Sequence, residues 1–345
     1  MTYMSEQFPH DGDDATHDAT HDSAHDGRYE GDYDVVVVGG GAAGLSGALV
    51  LGRARRRVAV VDAGRPRNAP AAQMHGFLGS DGLAPAELLA KGRAEVLGYG
   101  VDVISGSVES ITKSAAQSGH RLRLRLRLVD GSVLRARRVL VTTGLRDDIP
   151  DIPGVRERWG RDLLHCPYCH GYEVRDQPLG VLGGTPEAIA HAHLLRQWSD
   201  DVVLFTNGSP VTVDQRQQLV ARAIRIVDAL VASLVVEDDR LVGVAAADGR
   251  VVRRSAMFVR PRFVPNDSLL TDLGCATHAN GWVAVDATGA TSVQGLWAAG
   301  NAVNPRAQVI TAAGEGSAAA IAINQDLVEE DLPIAVTNFR LGLPV

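Results

Sequence analysis

The sequence predicts an α/β protein made of two Rossmann-like, three-layer ββα nucleotide-binding domains, the second inserted into the first. This rests on three features. The apolar run Val35-Val36-Val37-Val38 leads directly into Gly39-x-Gly41-x-x-Gly44, the order of strand, tight turn and helix start that a dinucleotide-binding unit requires. Well downstream, Leu179-Gly180-Val181-Leu182-Gly183-Gly184 begins a second such unit. From Arg262 the chain reads as returning to the first domain, with Cys166-x-x-Cys169 left between the two units. The expected division is a tail over residues 1–31, a first domain over 32–152 and 263–345, and an inserted domain over 153–262 that carries the cysteine pair.

At 345 residues and 45% hydrophobic, the chain has room for about two domains with sizeable cores. Its formal charge of −7 is unevenly spread. Residues 1–34 hold ten acidic residues and one basic, which leaves 31 acidic against 33 basic in the remainder. A near-neutral folded part argues against nucleic acid or an anionic membrane as a partner. No apolar run approaches the roughly 20 residues of a membrane helix, and the acidic N-terminus lacks the apolar core of a signal peptide. Three cysteines do not make a secreted disulfide framework, so the protein is expected to be cytoplasmic, where a disulfide is catalytic or transient. Residues 1–31 are poor in aliphatic side chains and repeat His-Asp at His17, His21 and His25. Such a segment cannot offset its ordering entropy and reads as disordered. With His10 these residues offer metal ligands, but a solvated tail is the adopted reading and no metal site is predicted.

Taken in order, Val35–Val38 is a strand buried on both faces. Gly39 permits the tight turn, Gly41 lets a pyrophosphate approach the backbone, and Gly44 lets helix and strand pack closely. The helix opening at Ala42 and Ala43 presents unpaired N–H groups to the phosphates. Val58-Ala59-Val60-Val61-Asp62 is the second strand, ending in an acid where a ribose hydroxyl is expected, with Ala63 following. Residues 101–140 read as β-meander, and Arg121 to Leu128 alternate strictly between arginine and leucine, one face solvated and one buried. Val139-Leu140-Val141-Thr142-Thr143-Gly144 is another buried strand, its small last residues suited to close approach of a nucleotide. In the inserted domain a helix is expected over about 186–198 and a second meander over about 226–256. Gly281 to Asp286 is expected as a strand, and a small-residue helix from Gln308 to about Leu327.

The cysteine pair is the centre of the chemistry. Two cysteines separated by two residues can close and reopen a small disulfide, and the thiolate is the reactive form. Zinc would need two further soft ligands, and the only other cysteine, Cys275, is distant and reads as a buried apolar residue. Haem attachment also uses Cys-x-x-Cys-His, but a pair set between two nucleotide-binding units reads as a thiol redox centre. Pro167 stiffens the turn between the cysteines.

These motifs, in this order, resemble the bacterial thioredoxin reductase family of flavoproteins: Gly39-x-Gly41-x-x-Gly44 with Asp62, Thr142-Thr143-Gly144, Cys166-x-x-Cys169, Ala299-Gly300-Asn301, and Gln308 with Ala312-Ala313. The resemblance implies FAD in the first domain, held by Gly39, Gly41, Ala42, Ala43, Gly44, Asp62, Ala63, Thr143, Gly144, Gly300, Asn301, Gln308 and Val309. It also implies a redox pair with Cys169 nearest the flavin and Cys166 exchanging with substrate. The helix from Gln308 would turn its positive end to the flavin, and a homodimer is the family's habit.

Two departures decide the direction of electron flow. The second glycine turn reads Gly183-Gly184-Thr185-Pro186-Glu187-Ala188, with Thr185 where a pyrophosphate would come closest, and Thr206-Asn207-Gly208-Ser209 offers no cation for a 2′-phosphate. The cysteine pair is followed by His170, where thioredoxin reductases place an acid. Cys-Pro-Tyr-Cys-His-Gly-Tyr-Glu is similar to the dithiol oxidases of dithiolopyrrolone and epidithiodiketopiperazine antibiotic biosynthesis, the holomycin and gliotoxin type. That likeness implies an FAD-dependent oxidoreductase that closes a disulfide in a small-molecule dithiol and reduces dioxygen to hydrogen peroxide. His170 and His165 are the nearest bases for the thiols. An NADPH- or ferredoxin-dependent thioredoxin or disulfide reductase is the alternative, and a flavin-bound sensor without turnover a third reading.

Overall fold

The structure, a computed structural model, describes residues 30–113 and 123–343. Almost all of the expected tail, with His10, His17, His21 and His25, lies outside the described residues, as do Arg121 and Leu122. The first part of the chain forms β1 (Glu30–Val38), α1 (Ala42–Arg53), β2 (Val58–Asp62), α2 (Pro85–Leu97), β3 (Asp102–Ser105), β4 (Val108–Lys113), β5 (Leu124–Leu128), β6 (Val133–Val141) and β7 (Leu145–Asp148). There follow α3 (Val155–Arg158), β8 (Leu163–Leu164), α4 (Pro167–His170), β9 (Leu179–Leu182), α5 (Pro186–Leu195), β10 (Val202–Phe205), α6 (Val213–Ala221) and β11 (Arg225–Val227). The chain continues through β12 (Val231–Glu237), β13 (Arg240–Ala246), β14 (Val251–Arg253), β15 (Ala256–Val259), β16 (Arg262–Pro265), α7 (Ser268–Thr271), β17 (Leu296–Ala298) and α8 (Val309–Arg340).

Among the described residues, seven strands form one sheet in the order β3-β2-β1-β6-β5-β4, with β17 also on β6. β6 does two jobs. Its first half pairs antiparallel with β5, while Val139–Val141 pair parallel with both β1 and β17. The unbroken apolar run of β1 follows from burial on both faces: Val35 and Val37 pack with Leu45, Ala48 and Leu51 of α1 and Ile323 of α8. Val36 and Val38 enter a second core with Leu124, Leu126 and Leu134. Each such side chain contributes roughly 1.5–3 kcal/mol on full burial. The arginine–leucine alternation resolves as expected where it is described, with Leu124, Leu126 and Leu128 buried, Arg125 and Arg127 exposed and Arg123 half-buried.

A second parallel sheet runs β11-β10-β9-β15-β8 beside the antiparallel β12-β13-β14. The outgoing and returning crossings, β7 and β16, pair antiparallel with Leu145 opposite Pro265 and Asp148 opposite Arg262. A mixed sheet whose β3-β2-β1-β6-β17 part is parallel, and a parallel five-stranded sheet reached by one paired crossing, are the nested Rossmann-like architecture that the sequence predicts.

Five elements differ from expectation. β3 pairs parallel with β2 at the sheet edge and so stands outside the first meander, and β11 likewise joins β10 instead of the second. Gly281 to Asp286 form only isolated bridges, because the Asp286 carboxylate accepts the Thr288 and Ala290 amides and turns the chain. The small-residue helix runs on to Arg340 through Pro333. The proline withholds one donor, and the Thr337 hydroxyl takes up the Pro333 carbonyl at 2.8 Å. Finally, α5 closes at Leu195, three residues early.

Candidate active site

The residues expected around a dinucleotide converge on the start of α1. The Thr142 hydroxyl donates to the Val38 and Gly39 carbonyls at 3.0 and 2.8 Å, bracing the turn from the adjoining strand. Gly39 has φ +109°, and a Cβ there would meet the Thr142 carbonyl oxygen at 2.5 Å, so only glycine fits. A Cβ on Gly44 would run into the Gly39 carbonyl. Thr143 and Gly144 are tied to Asn266 on the returning crossing, through Thr143 Oγ1 to the Asn266 carbonyl at 2.5 Å and the Asn266 amide to the Gly144 carbonyl at 2.9 Å. Gly300 lies against Ala43 and Ala312, while the Asn301 amide donates to the Asn304 and Ala307 carbonyls. Asp62 stands beside Gly40 and is paired with Arg93 at 2.5 Å; Ala63 follows it, exposed.

Two helix starts open on this turn without a side-chain cap and without an acid in their first turn: α1 behind Gly41, and α8 behind Gln308 and Val309. Among the described residues, a Cβ added to Gly41 would meet nothing within 4 Å. Free N–H groups and open space beside a glycine turn fit a dinucleotide pyrophosphate.

The corresponding place in the second sheet is closed by its own side chains. Thr185 caps α5 by accepting the Ala188 amide at 3.3 Å. Glu187 takes its own backbone amide and the Thr185 hydroxyl, which hold its carboxylate below the usual range. An anion arriving here would meet a carboxylate already bonded to the helix start.

Cys166 and Cys169 form a disulfide with Cα atoms 5.3 Å apart. β8 carries the chain to it, and α4 begins there with Cys166 as N-cap and Pro167 in the first turn, where a missing N–H costs nothing. The Cys166 sulfur accepts the Cys169 amide at 3.2 Å. Tyr168 and Tyr172 beside the pair are largely exposed, and Cys275 is buried far from it in the first core.

The two histidines of the motif differ. His165 is packed between Trp159 and Phe263; burial, with Arg67 beside it, pushes it down to about 4. His170 is lowered by burial and by His75, against an opposing pull from Glu173.

Four side chains that sequence reading missed connect these parts. Arg67 grips Asp147 in a two-pronged pair at 2.8 and 2.7 Å, reaches Asn301 at 3.3 Å and lies over the Phe263 ring that also faces His165. His75 faces Glu173, just beyond α4, at 3.4 Å, while a Cβ on neighbouring Gly76 would lie 3.7 Å from Gln308. Glu315 holds the Gly300 turn, and Arg93 holds Asp62. The disulfide segment is thereby linked to the dinucleotide cradle on two sides.

Thiol–disulfide chemistry beside a nucleotide cradle is the work of disulfide oxidoreductases, and that is the class to which the fold and the cysteine pair assign the protein. The chain belongs to the pyridine nucleotide-disulphide oxidoreductase family, whose pattern matches residues 33–316 and whose members typically bind FAD. It is similar to the crystal structure of HlmI, at 58% identity and a TM-score of 0.86, covering 92% of this chain and 98% of that one. An oxidoreductase from Agrobacterium tumefaciens matches at 34% identity and a TM-score of 0.79, covering 86% and 99%. The thioredoxin reductase tcpT of Claviceps purpurea is 35% identical over 189 residues, 51% of this chain. The chain spans about half the length of the first curated relatives that it matches, 53% and 56%. Among the described residues, no helix is long and apolar enough to cross a membrane.

Proposed function

We propose that the protein is an FAD-dependent dithiol oxidase that forms an intramolecular disulfide in a small-molecule dithiol and reduces dioxygen to hydrogen peroxide. One contrast carries this reading: the helix start behind Gly41 is open, whereas the one behind Thr185 is closed by Thr185 and Glu187. A protein with room for one dinucleotide and a redox disulfide draws its electrons from thiols, not from a nicotinamide. The similarity to HlmI, a holomycin dithiol oxidase, supports the same direction.

FAD would be held by the Gly39–Gly44 turn, Asp62, Thr143, Gly144, Gly300, Asn301 and the α8 start at Gln308 and Val309. When bound it supplies the two-electron acceptor that restores the disulfide and passes electrons on to dioxygen. The chain's own residues perform the exchange. One substrate thiol loses its proton, and its thiolate attacks the Cys166 sulfur, breaking the Cys166–Cys169 bond and leaving Cys169 as thiolate. The second substrate thiolate then attacks the sulfur joined to Cys166. The cyclic disulfide departs, and both cysteines are left reduced. His170, next in sequence to Cys169, is the base nearest this exchange, while His165, buried among aromatic rings, stays neutral and shapes the wall.

Anaerobic mixing of the yellow protein with a small dithiol, and separately with NADPH, tests this. Bleaching by the dithiol alone, with colour and peroxide returning in air, is the expected result. Rapid bleaching by micromolar NADPH would make the protein a reductase instead.

A further inference from the structure

Arg67 stands on the segment between β2 and α2, and its side chain reaches the crossing formed by β7 and β16. In that crossing Asp147 lies directly opposite Phe263, and the guanidinium spans the two. Nε and Nη2 donate to the Asp147 carboxylate at 2.8 and 2.7 Å, and Cζ lies 5.0 Å from the centre of the Phe263 ring. The remaining nitrogen, Nη1, donates to Asn301 Oδ1 at 3.3 Å. The Asn301 amide nitrogen is committed to the Asn304 and Ala307 carbonyls, so Oδ1 is the atom left for the arginine. Phe263 is edge-on to His165 at 5.7 Å, and His165 is the residue before Cys166. Three residues beyond Arg67, Pro70 sits so close to Gly160 that a Cβ on that glycine would lie 2.8 Å from it. A path of contacts thus runs from Asn301 through Arg67 and Phe263 to the residue that carries Cys166.

We propose that Arg67 is a positioning residue for the redox pair: by joining Asn301 to the crossing, it sets the place of Cys166 and Cys169 relative to the cradle. This rests on the reading above, in which the pair passes electrons to FAD. Closing the pair makes the sulfur–sulfur bond from two thiols. Two electrons and one proton go to the bound FAD, and the second proton goes to solvent. Such a transfer depends on alignment, and misplacement by about 1 Å costs on the order of a hundredfold. The preceding exchange needs no fixed distance to the cradle, because a free dithiol diffuses to the sulfur. Arg67 therefore acts on the second step and not on the first. Its planar fork grips a carboxylate with two nitrogens, reaches Asn301 with the third and lies over a ring. A lysine ammonium, a point charge, cannot do all of these at once.

The test follows the two steps separately in the flavin-loaded protein. Wild type and Arg67→Met are mixed anaerobically with dithiothreitol, and absorbance reports bleaching. Samples are quenched in acid, unfolded and alkylated with N-ethylmaleimide, and mass counts the labels. Cys275 alone gives one label while the disulfide is closed, and the chain gives three once it is open. In Arg67→Met the three-label form should accumulate at the wild-type rate while the protein is still yellow, with bleaching slowed by about tenfold to a hundredfold. Arg67→Lys should fall between the two. Arg67→Met also strands the Asp147 carboxylate, whose side chain is 8% exposed, and should lower the thermal midpoint. Adding Asp147→Asn removes that charge and should restore the midpoint without restoring the rate of bleaching. Bleaching that keeps pace with labelling in Arg67→Met, or that recovers along with the midpoint, would mean that Arg67 only stabilises the fold, and the positioning role would be overturned. Wild type that gains three labels yet stays yellow would instead overturn the oxidase reading on which the role rests.

Discussion

The Glu315 carboxylate accepts the Gly300 amide at 2.8 Å and the Asn304 side-chain amide at 2.6 Å. It thus fixes, from within α8, the turn that presents Gly300 and Asn301 to the cradle. Removing the carboxylate leaves two donors without partners, a loss of roughly 1–3 kcal/mol for each one that stays buried. Glu315→Ala should therefore purify with less flavin per chain and a lower thermal midpoint. Glu315→Gln, which keeps one acceptor oxygen, should fall between it and wild type. Equal flavin content in all three would remove Glu315 from the site.

Gly316, its neighbour, serves packing. A Cβ there would run into the Ala43 carbonyl, so α8 and α1 touch backbone to backbone. Gly316→Ala must push the helices apart and should cost about 1–3 kcal/mol, as overpacking does. Gly314 is the control, because a Cβ there meets nothing within 4 Å and the residue is exposed in mid-helix. Gly314→Ala should stabilise by about 0.5–1 kcal/mol through helix propensity. Urea unfolding of the two variants reads both signs.

The nested fold and the dinucleotide cradle were legible because strand period, glycine spacing and small residues are local signals. Val35–Val38, Gly39–Gly44 and the small-residue stretch after Gln308 each declare their role within a dozen residues. Side chains joined only by the fold were not legible. Arg67 meets Asn301 and Asp147, and His75 meets Glu173, across separations that no spacing rule spans. Glu315 left a faint signal, an acid between two glycines in a helix of small residues, and Gly76 beside His75 another. The misread strand at Gly281–Asp286 had the right alternation, but the aspartate that ends it bonds the backbone ahead and turns the chain.

Thr185 separates the two roles that the second glycine turn combines. As an N-cap its hydroxyl is worth about 1 kcal/mol, so Thr185→Ala should lower the thermal midpoint modestly. Because Glu187 remains on the helix start, the same variant should gain no response to NADPH. Replacing Thr185 by glycine together with Glu187→Ala clears the N–H groups, and weak quenching of protein fluorescence by NADPH should then emerge. It should stay weak, since Thr206 to Ser209 supply no cation for a 2′-phosphate. Tight NADPH binding by wild type would contradict the closed helix start.

His191 ties stability to pH. It is 4% exposed on α5, edge-on to Phe258 at 5.6 Å, and among the described residues neither ring nitrogen has a hydrogen-bond partner. Burial, with Arg260 and His165 adding to it, pushes it down to about 4, whereas in the unfolded chain it titrates near 6.5. As pH falls from about 6.5 to about 4, the unfolded chain takes up a proton that the folded protein refuses. Stability therefore declines across that window, by on the order of 3 kcal/mol at most for this residue, and is unaffected above it. His165, also pushed down to about 4, acts in the same direction. His191→Phe replaces the unpartnered ring by an apolar one and removes one of the two contributions. Its urea midpoint should drop less than that of wild type between pH 7 and pH 5, and should lie at or above wild type at pH 7. Parallel declines in the two proteins would show that His191 takes up its proton in the folded state, and that the buried ring is not the origin of the acid sensitivity.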